Sequence, residues 1–141
     1  QMCIRDRHTG GMCHLDAAMT KQGVEALGTD GVELAILENV GNLVCPAEFD
    51  TGAVKNVMIL SVPEGDDKPL KYPLMFKVSD VVLINKIDVL PYFDFDVEKC
   101  KEYIKHRNPN AKIFLICAKT GEGIEEWATW LNDEVREWID K

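Results

Sequence analysis

Val81-Val82-Leu83-Ile84-Asn85-Lys86-Ile87-Asp88 is the stretch that decides the fold. Four consecutive aliphatic residues with no polar alternation predict a strand buried on both faces. Asn85, Lys86 and Asp88 then follow at its carboxyl end. Ligands bind at that end in parallel sheets.

Working outward, three more runs read as buried strands: Val32 to Leu37, Asn56 to Val62, and Ile113 to Ile116. Helical patterns separate them. One runs from about Asp16 to Leu27 and is ended by Gly28. A short one covers 70 to 78. A third starts at Asp96, a good N-cap, carries Val97, Cys100 and Ile104 on one face, and stops at Asn108-Pro109-Asn110. The last runs from about Ile124 to Asp140, with Trp127, Leu131, Val135 and Trp138 on one stripe. Its Glu125 and Glu126 suit the helix dipole. Strands alternating with helices predict an α/β chain with a parallel sheet covered on both faces.

Bulk properties exclude several functions. The chain has 141 residues and a formal net charge of -8. With no Lys/Arg cluster, neither nucleic acid nor an anionic membrane is an expected partner. No apolar run approaches the ~20 residues of a membrane span. Five cysteines lie at 3, 13, 45, 100 and 117, without a leader or a regular framework, so a reducing cytoplasm is the expected compartment. Cys100 and Cys117 read as packing residues.

The loop after Ile84 has chemistry suited to guanine. Guanine offers two donors, N1–H and the N2 amino group, and the Asp88 carboxylate can accept both. Asn85 can donate to N7 and tie loops together. The stem of Lys86 can cover the purine face. Adenine lacks the donor pair and would leave Asp88 unpaired. A second loop follows the last strand: Cys117-Ala118-Lys119, then Thr120-Gly121-Glu122-Gly123 into a helix. Together these resemble the fourth and fifth guanine motifs of P-loop GTPases. The resemblance implies an Ala118 N–H given to guanine O6, with Lys119 packed on the base.

Glu38-Asn39-Val40-Gly41 fits the third motif, usually D-x-x-G. Gly41 would let its backbone N–H approach a γ-phosphate, and Glu38 would face Mg²⁺. The phosphate loop, G-x-x-x-x-G-K-[ST], does not occur in the 141 residues. The expected fold is therefore a P-loop GTPase-like parallel sheet with flanking helices, its first strand and phosphate loop missing. No catalytic base is assigned. Asp16 is the nearest candidate for a water or magnesium role.

Cys13, His14 and Cys45 supply two thiols and an imidazole, donors that suit Zn²⁺ or Ni²⁺. Their spacing alone, without a C-x-x-C, leaves a metal site and simple packing both open. The segments T-G-G-x-C-H-L-D-A from Thr9, E-N-V-G-N-L-V-C-P from Glu38, Glu64 to Pro69, and Asn85-Lys86-Ile87-Asp88 together resemble the hydrogenase nickel incorporation GTPases, the HypB family. The resemblance covers Thr9 to about Leu131. The urease nickel GTPases rank second, having different metal and sensor loops.

The HypB resemblance implies a cytoplasmic GTP/GDP switch for nickel insertion into [NiFe] hydrogenase. It implies Mg²⁺ and a Zn²⁺ or Ni²⁺ site of Cys13, His14 and Cys45. It implies a homodimer, and hydrogenase maturation proteins and the hydrogenase large subunit as partners. Gln1 to Arg7 reads as translated adapter sequence, and position 8 is His where the family has Asn. Residues 1–8 are thus expected to be a non-native junction and 9–141 a partial GTPase domain. On this reading the chain as given is inactive without its phosphate loop, and a metal-binding or dimerising remnant is the rival. Val89-Leu90-Pro91-Tyr92-Phe93 is either core cover or a dimer patch.

Overall fold

A computed structural model of the chain describes residues 6, 8–28 and 30–140. Most of the expected junction, residues 1–5 and 7, lies outside them. The chain divides into two compact units, Gln1–Val54 and Lys55–Lys141.

In the second unit, β1 (Val57–Ser61), β2 (Val81–Asn85) and β3 (Lys112–Leu115) form a parallel sheet in the order β1-β2-β3. Val57 pairs with Val81, and Val81 with Lys112. The central strand is the one read first: Val81, Val82 and Ile84 are fully buried and Leu83 nearly so. This continuous burial is what an unalternating aliphatic run requires. Helix α5 (Val97–Arg107) buries Cys100 and Ile104, and the Asp96 carboxylate accepts from the Lys99 amide at its start. Helix α6 (Ile124–Ile139) lays Trp127 and Trp130 on Phe114, with ring centroids 5.7 and 6.0 Å away. Trp138, expected on the same stripe, is largely exposed.

Two expectations are corrected in this unit. The helix expected over 70–78 is split into α3 (Lys68–Lys71) and α4 (Pro73–Val78). Pro73 has no N–H to continue the first helix but fits the first turn of a second. Burial on both faces holds for β2 and fails for β1, an edge strand whose Val57 and Ile59 are 41% and 55% exposed.

The first unit has little regular structure. Helix α1 (Ala17–Leu27) starts at Asp16, whose carboxylate accepts from the Met19 amide at 2.8 Å. A single turn, α2 (Cys45–Glu48), begins with Pro46 in its first positions. The strand expected at 32–37 does not form. Those residues pair with no strand among the described residues, and Val32, Leu34, Ile36 and Leu37 are 39% to 82% exposed. An apolar run becomes a strand only where a neighbour accepts and donates its backbone hydrogen bonds, and β1 to β3 pair only among themselves.

Candidate functional sites

The guanine-type loops lie at the carboxyl ends of β2 and β3. Asn85 joins them: its Oδ1 accepts from the Lys86 amide at 2.7 Å and from the Ala118 amide at 3.2 Å. The expected tie between loops is therefore present, and the Ala118 N–H points at Asn85. The Ile87 amide donates to the Ile116 carbonyl, a second tie across the same gap. Lys86 holds a left-handed backbone, φ 64 and ψ 40, unusual for a residue with a Cβ. This bend carries the chain from strand into the 3-10 turn Ile87–Tyr92 and brings Asp88 to the surface. The Asp88 carboxylate makes no hydrogen bond or ion pair among the described residues. Its acceptors are free for a donor pair.

The second loop is closed on itself. The Cys117 amide donates to the Glu122 carbonyl at 2.9 Å, and the Gly121 amide to the Cys117 carbonyl at 2.8 Å. Cys117 is 1% exposed, as its packing reading expects. Ala118 and Lys119 are exposed on the turn.

The metal-type residues all lie in the first unit. Cys13 Sγ is 3.9 Å from His14 Nδ1. The Cys45 thiol is held above its usual range, first by a hydrogen bond with Cys13 and then by burial. Cys13 is thus near His14 by distance and raises the Cys45 thiol electrostatically. The three do not form a finished ligand set. Among the described residues no three His, Cys, Asp or Glu side chains are gathered closely enough to hold a metal ion. The His14 ring is stacked on Phe49, centroids 3.5 Å apart and 7° from parallel. The donor chemistry fits Zn²⁺ or Ni²⁺. Asp16, the weak magnesium or water candidate, is used as the α1 cap.

Glu38 and Gly41 are exposed. A Cβ at Gly41 would meet nothing within 4 Å, and its φ is not left-handed. Among the described residues nothing demands glycine there.

Two residues in this loop escaped the sequence reading. Asn39 Oδ1 accepts from the amides of Leu15 and Val40, at 2.9 and 2.8 Å. Asn42 donates from Nδ2 to the Cys13 carbonyl at 2.8 Å, and its Oδ1 accepts from the amides of Val44 and Cys45. Asn42 therefore joins the backbone of one candidate ligand to that of another, one residue after Gly41. The available signal was two asparagines flanking a glycine in a loop, since asparagine side chains readily bond nearby backbone.

The family model described as CobW/HypB/UreG, nucleotide-binding domain, matches residues 2–115. The chain belongs to this family. Within it, the chain is 54% identical over 125 residues to the hydrogenase maturation factor HypB of Azotobacter chroococcum. It is 50% identical over 127 residues to the HypB of Escherichia coli K12. These matches cover 88% and 90% of this chain but 41% and 44% of the relatives, so the chain spans well under half of their length. The crystal structure of HypB from Archaeoglobus fulgidus superposes with a TM-score of 0.84 at 42% identity, over 91% of this chain and 62% of that one. HypB from Helicobacter pylori in complex with nickel gives 0.86 at 43% identity, over 92% and 62%. The expected HypB resemblance and GTPase-like parallel fold are thus both met. No helix among the described residues is long and apolar enough to cross a membrane.

Proposed function

We propose that this CobW/HypB/UreG chain is the guanine-reading and metal-holding part of a GTPase that inserts nickel during [NiFe] hydrogenase maturation. The observation that carries the reading is the Asn85–Ala118 bond, which sets the Asn85-Lys86-Ile87-Asp88 and Cys117-Ala118-Lys119 loops side by side. Asp88 accepts the N1–H and N2 donors of guanine, Asn85 holds the loops, Lys86 and Lys119 cover the base, and the Ala118 N–H, which rests on Asn85 Oδ1, exchanges that acceptor for O6 when guanine binds. Glu38 and Gly41 keep the magnesium and γ-phosphate roles that the family resemblance implies. Bound Mg²⁺ would supply charge stabilisation for phosphoryl transfer. Cys13, His14 and Cys45 take nickel as cargo, or Zn²⁺ in its place. The nickel complex of the Helicobacter pylori relative supports nickel as the ion.

A homodimer through the Val89–Phe93 segment fits the exposure of Tyr92 and Phe93. Hydrogenase maturation proteins and the hydrogenase large subunit are the partners this reading names, in the cytoplasm. A second reading extends the cargo to urease, because the Helicobacter pylori relative, 43% identical, is a hydrogenase/urease maturation factor.

The test is a titration of the full chain with GDP, XDP and ADP, followed by amide NMR. GDP should bind best. Asp88→Asn should reverse the order of GDP and XDP, because an amide donates to the C2 oxygen of xanthine where the carboxylate accepted from the N2 amino group of guanine. Equal binding of GDP and ADP by the parent chain would refute the guanine reading.

A further inference from the structure

Gly123 sits at the start of α6 with φ 72, where the loop after β3 turns into the helix. A Cβ built there would lie 2.0 Å from the Leu115 carbonyl oxygen, 3.1 Å from its carbon and 3.3 Å from the Ile116 Cα. These are backbone atoms of β3 and the residue just after it. They cannot swing aside as a side-chain end could. β3 is fixed by its pairing to β2 and by buried Phe114 and Ile116. On the other side α6 is pinned by Trp127 and Trp130 against Phe114. The part left to yield is the short loop from Ala118 to Glu122. That loop carries the Ala118 N–H, whose place is registered by Asn85 at 3.2 Å.

We propose that Gly123 is a positioning residue for base selection: the close approach of its backbone to Leu115 sets where the Ala118 N–H meets the six-position atom of guanine. This rests on the guanine reading above. Gly123 touches no nucleotide and acts through the loop. Gly121 provides the control. It also has a left-handed φ, +85, but a Cβ there meets nothing within 4 Å. A substitution at 121 adds backbone strain in the same loop without the collision.

The experiment compares GDP, IDP, 6-thio-GDP and ADP on the full chain, its Gly123→Ala variant and its Gly121→Ala variant. The sulfur of 6-thio-GDP is a poorer acceptor for Ala118 than O6, while its N1–H and N2 groups toward Asp88 remain. IDP keeps O6 and lacks the N2 group. Gly123→Ala should weaken GDP binding by about tenfold and bring the GDP to 6-thio-GDP preference to within about twofold of unity. Its GDP to IDP preference should stay at the parent's value. Gly121→Ala should keep both preferences. A Gly123→Ala variant that keeps the 6-thio preference overturns the proposal, and so does one that loses its near-UV dichroism, which would assign the glycine to folding. Loss of the 6-thio preference in Gly121→Ala overturns it as well. No GDP preference over ADP in the parent chain removes the underlying guanine reading instead.

Discussion

Asn42→Ala separates a structural asparagine from one that holds a metal clamp. The side chain makes three hydrogen bonds, to the Cys13 carbonyl at 2.8 Å and from the Val44 and Cys45 amides at 3.1 and 2.9 Å. Alanine removes all three. Each is worth roughly 0.5 to 1.5 kcal/mol net, toward the lower end where water can replace it. Two of them fix the backbones of Cys13 and Cys45 relative to one another, so about 1 to 2 kcal/mol should be lost from metal binding. That is about 5- to 30-fold in affinity, in the range seen for groups that orient metal ligands. Ni²⁺ and Zn²⁺ affinity is measured by competition with a chromophoric chelator at fixed pH. Asn42→Asp keeps an acceptor for Val44 and Cys45 and loses the donor to Cys13, so it should fall between parent and alanine. The reasoning is refuted if Asn42→Ala binds both ions within about twofold of the parent while Cys45→Ala abolishes binding.

Further outcomes follow from other parts of the molecule. Burial pushes the Cys100 thiol up to about 12, so with iodoacetamide at pH 8 Cys13 and Cys45 should be alkylated first. Mass mapping that finds native Cys100 modified as fast as exposed Cys13 contradicts this. Lys71 beside Asp67 holds that carboxyl below its usual range. Its contribution to stability is complete above the unfolded value of about 4 and fades as pH falls through the lower folded value. Asp67→Asn should therefore flatten the decline in urea midpoint below about pH 4, slightly, because the pair is exposed. A variant with the parent's acid slope counts against the pair. Ile59→Lys places a charge on the exposed face of edge strand β1 and should reduce light scattering of the concentrated chain. Unchanged scattering would count against β1 as an association edge.

The sheet was legible because Val81 to Ile84 and Ile113 to Ile116 are apolar runs whose neighbours are also strands. Val32 to Leu37 has the same character and forms no strand, since composition cannot report whether a pairing edge is present. The split at Tyr72-Pro73 was marked by the proline, but the 70–78 periodicity outweighed it. Residue types and spacing were enough to set the Asn85–Asp88 and Cys117–Lys119 loops side by side, because both follow strand ends of one parallel sheet. The metal half was legible only by residue identity. The Asn42 bridge and the His14–Phe49 stack depend on how an irregular loop folds back. Gly123 looked like turn punctuation because its neighbour, the Leu115 carbonyl, is distant in kind from any side-chain pattern.

The left-handed backbone at Lys86 has a bearing on protein engineering. A residue with a Cβ in that region costs on the order of 1 kcal/mol, and glycine there costs far less. Selecting variants for heat resistance alone should therefore favour Lys86→Gly. The resulting chain would be harder to melt and would have given up the side chain proposed to cover the base. A thermostability screen of this protein would select against that proposed contact unless nucleotide retention is scored beside it.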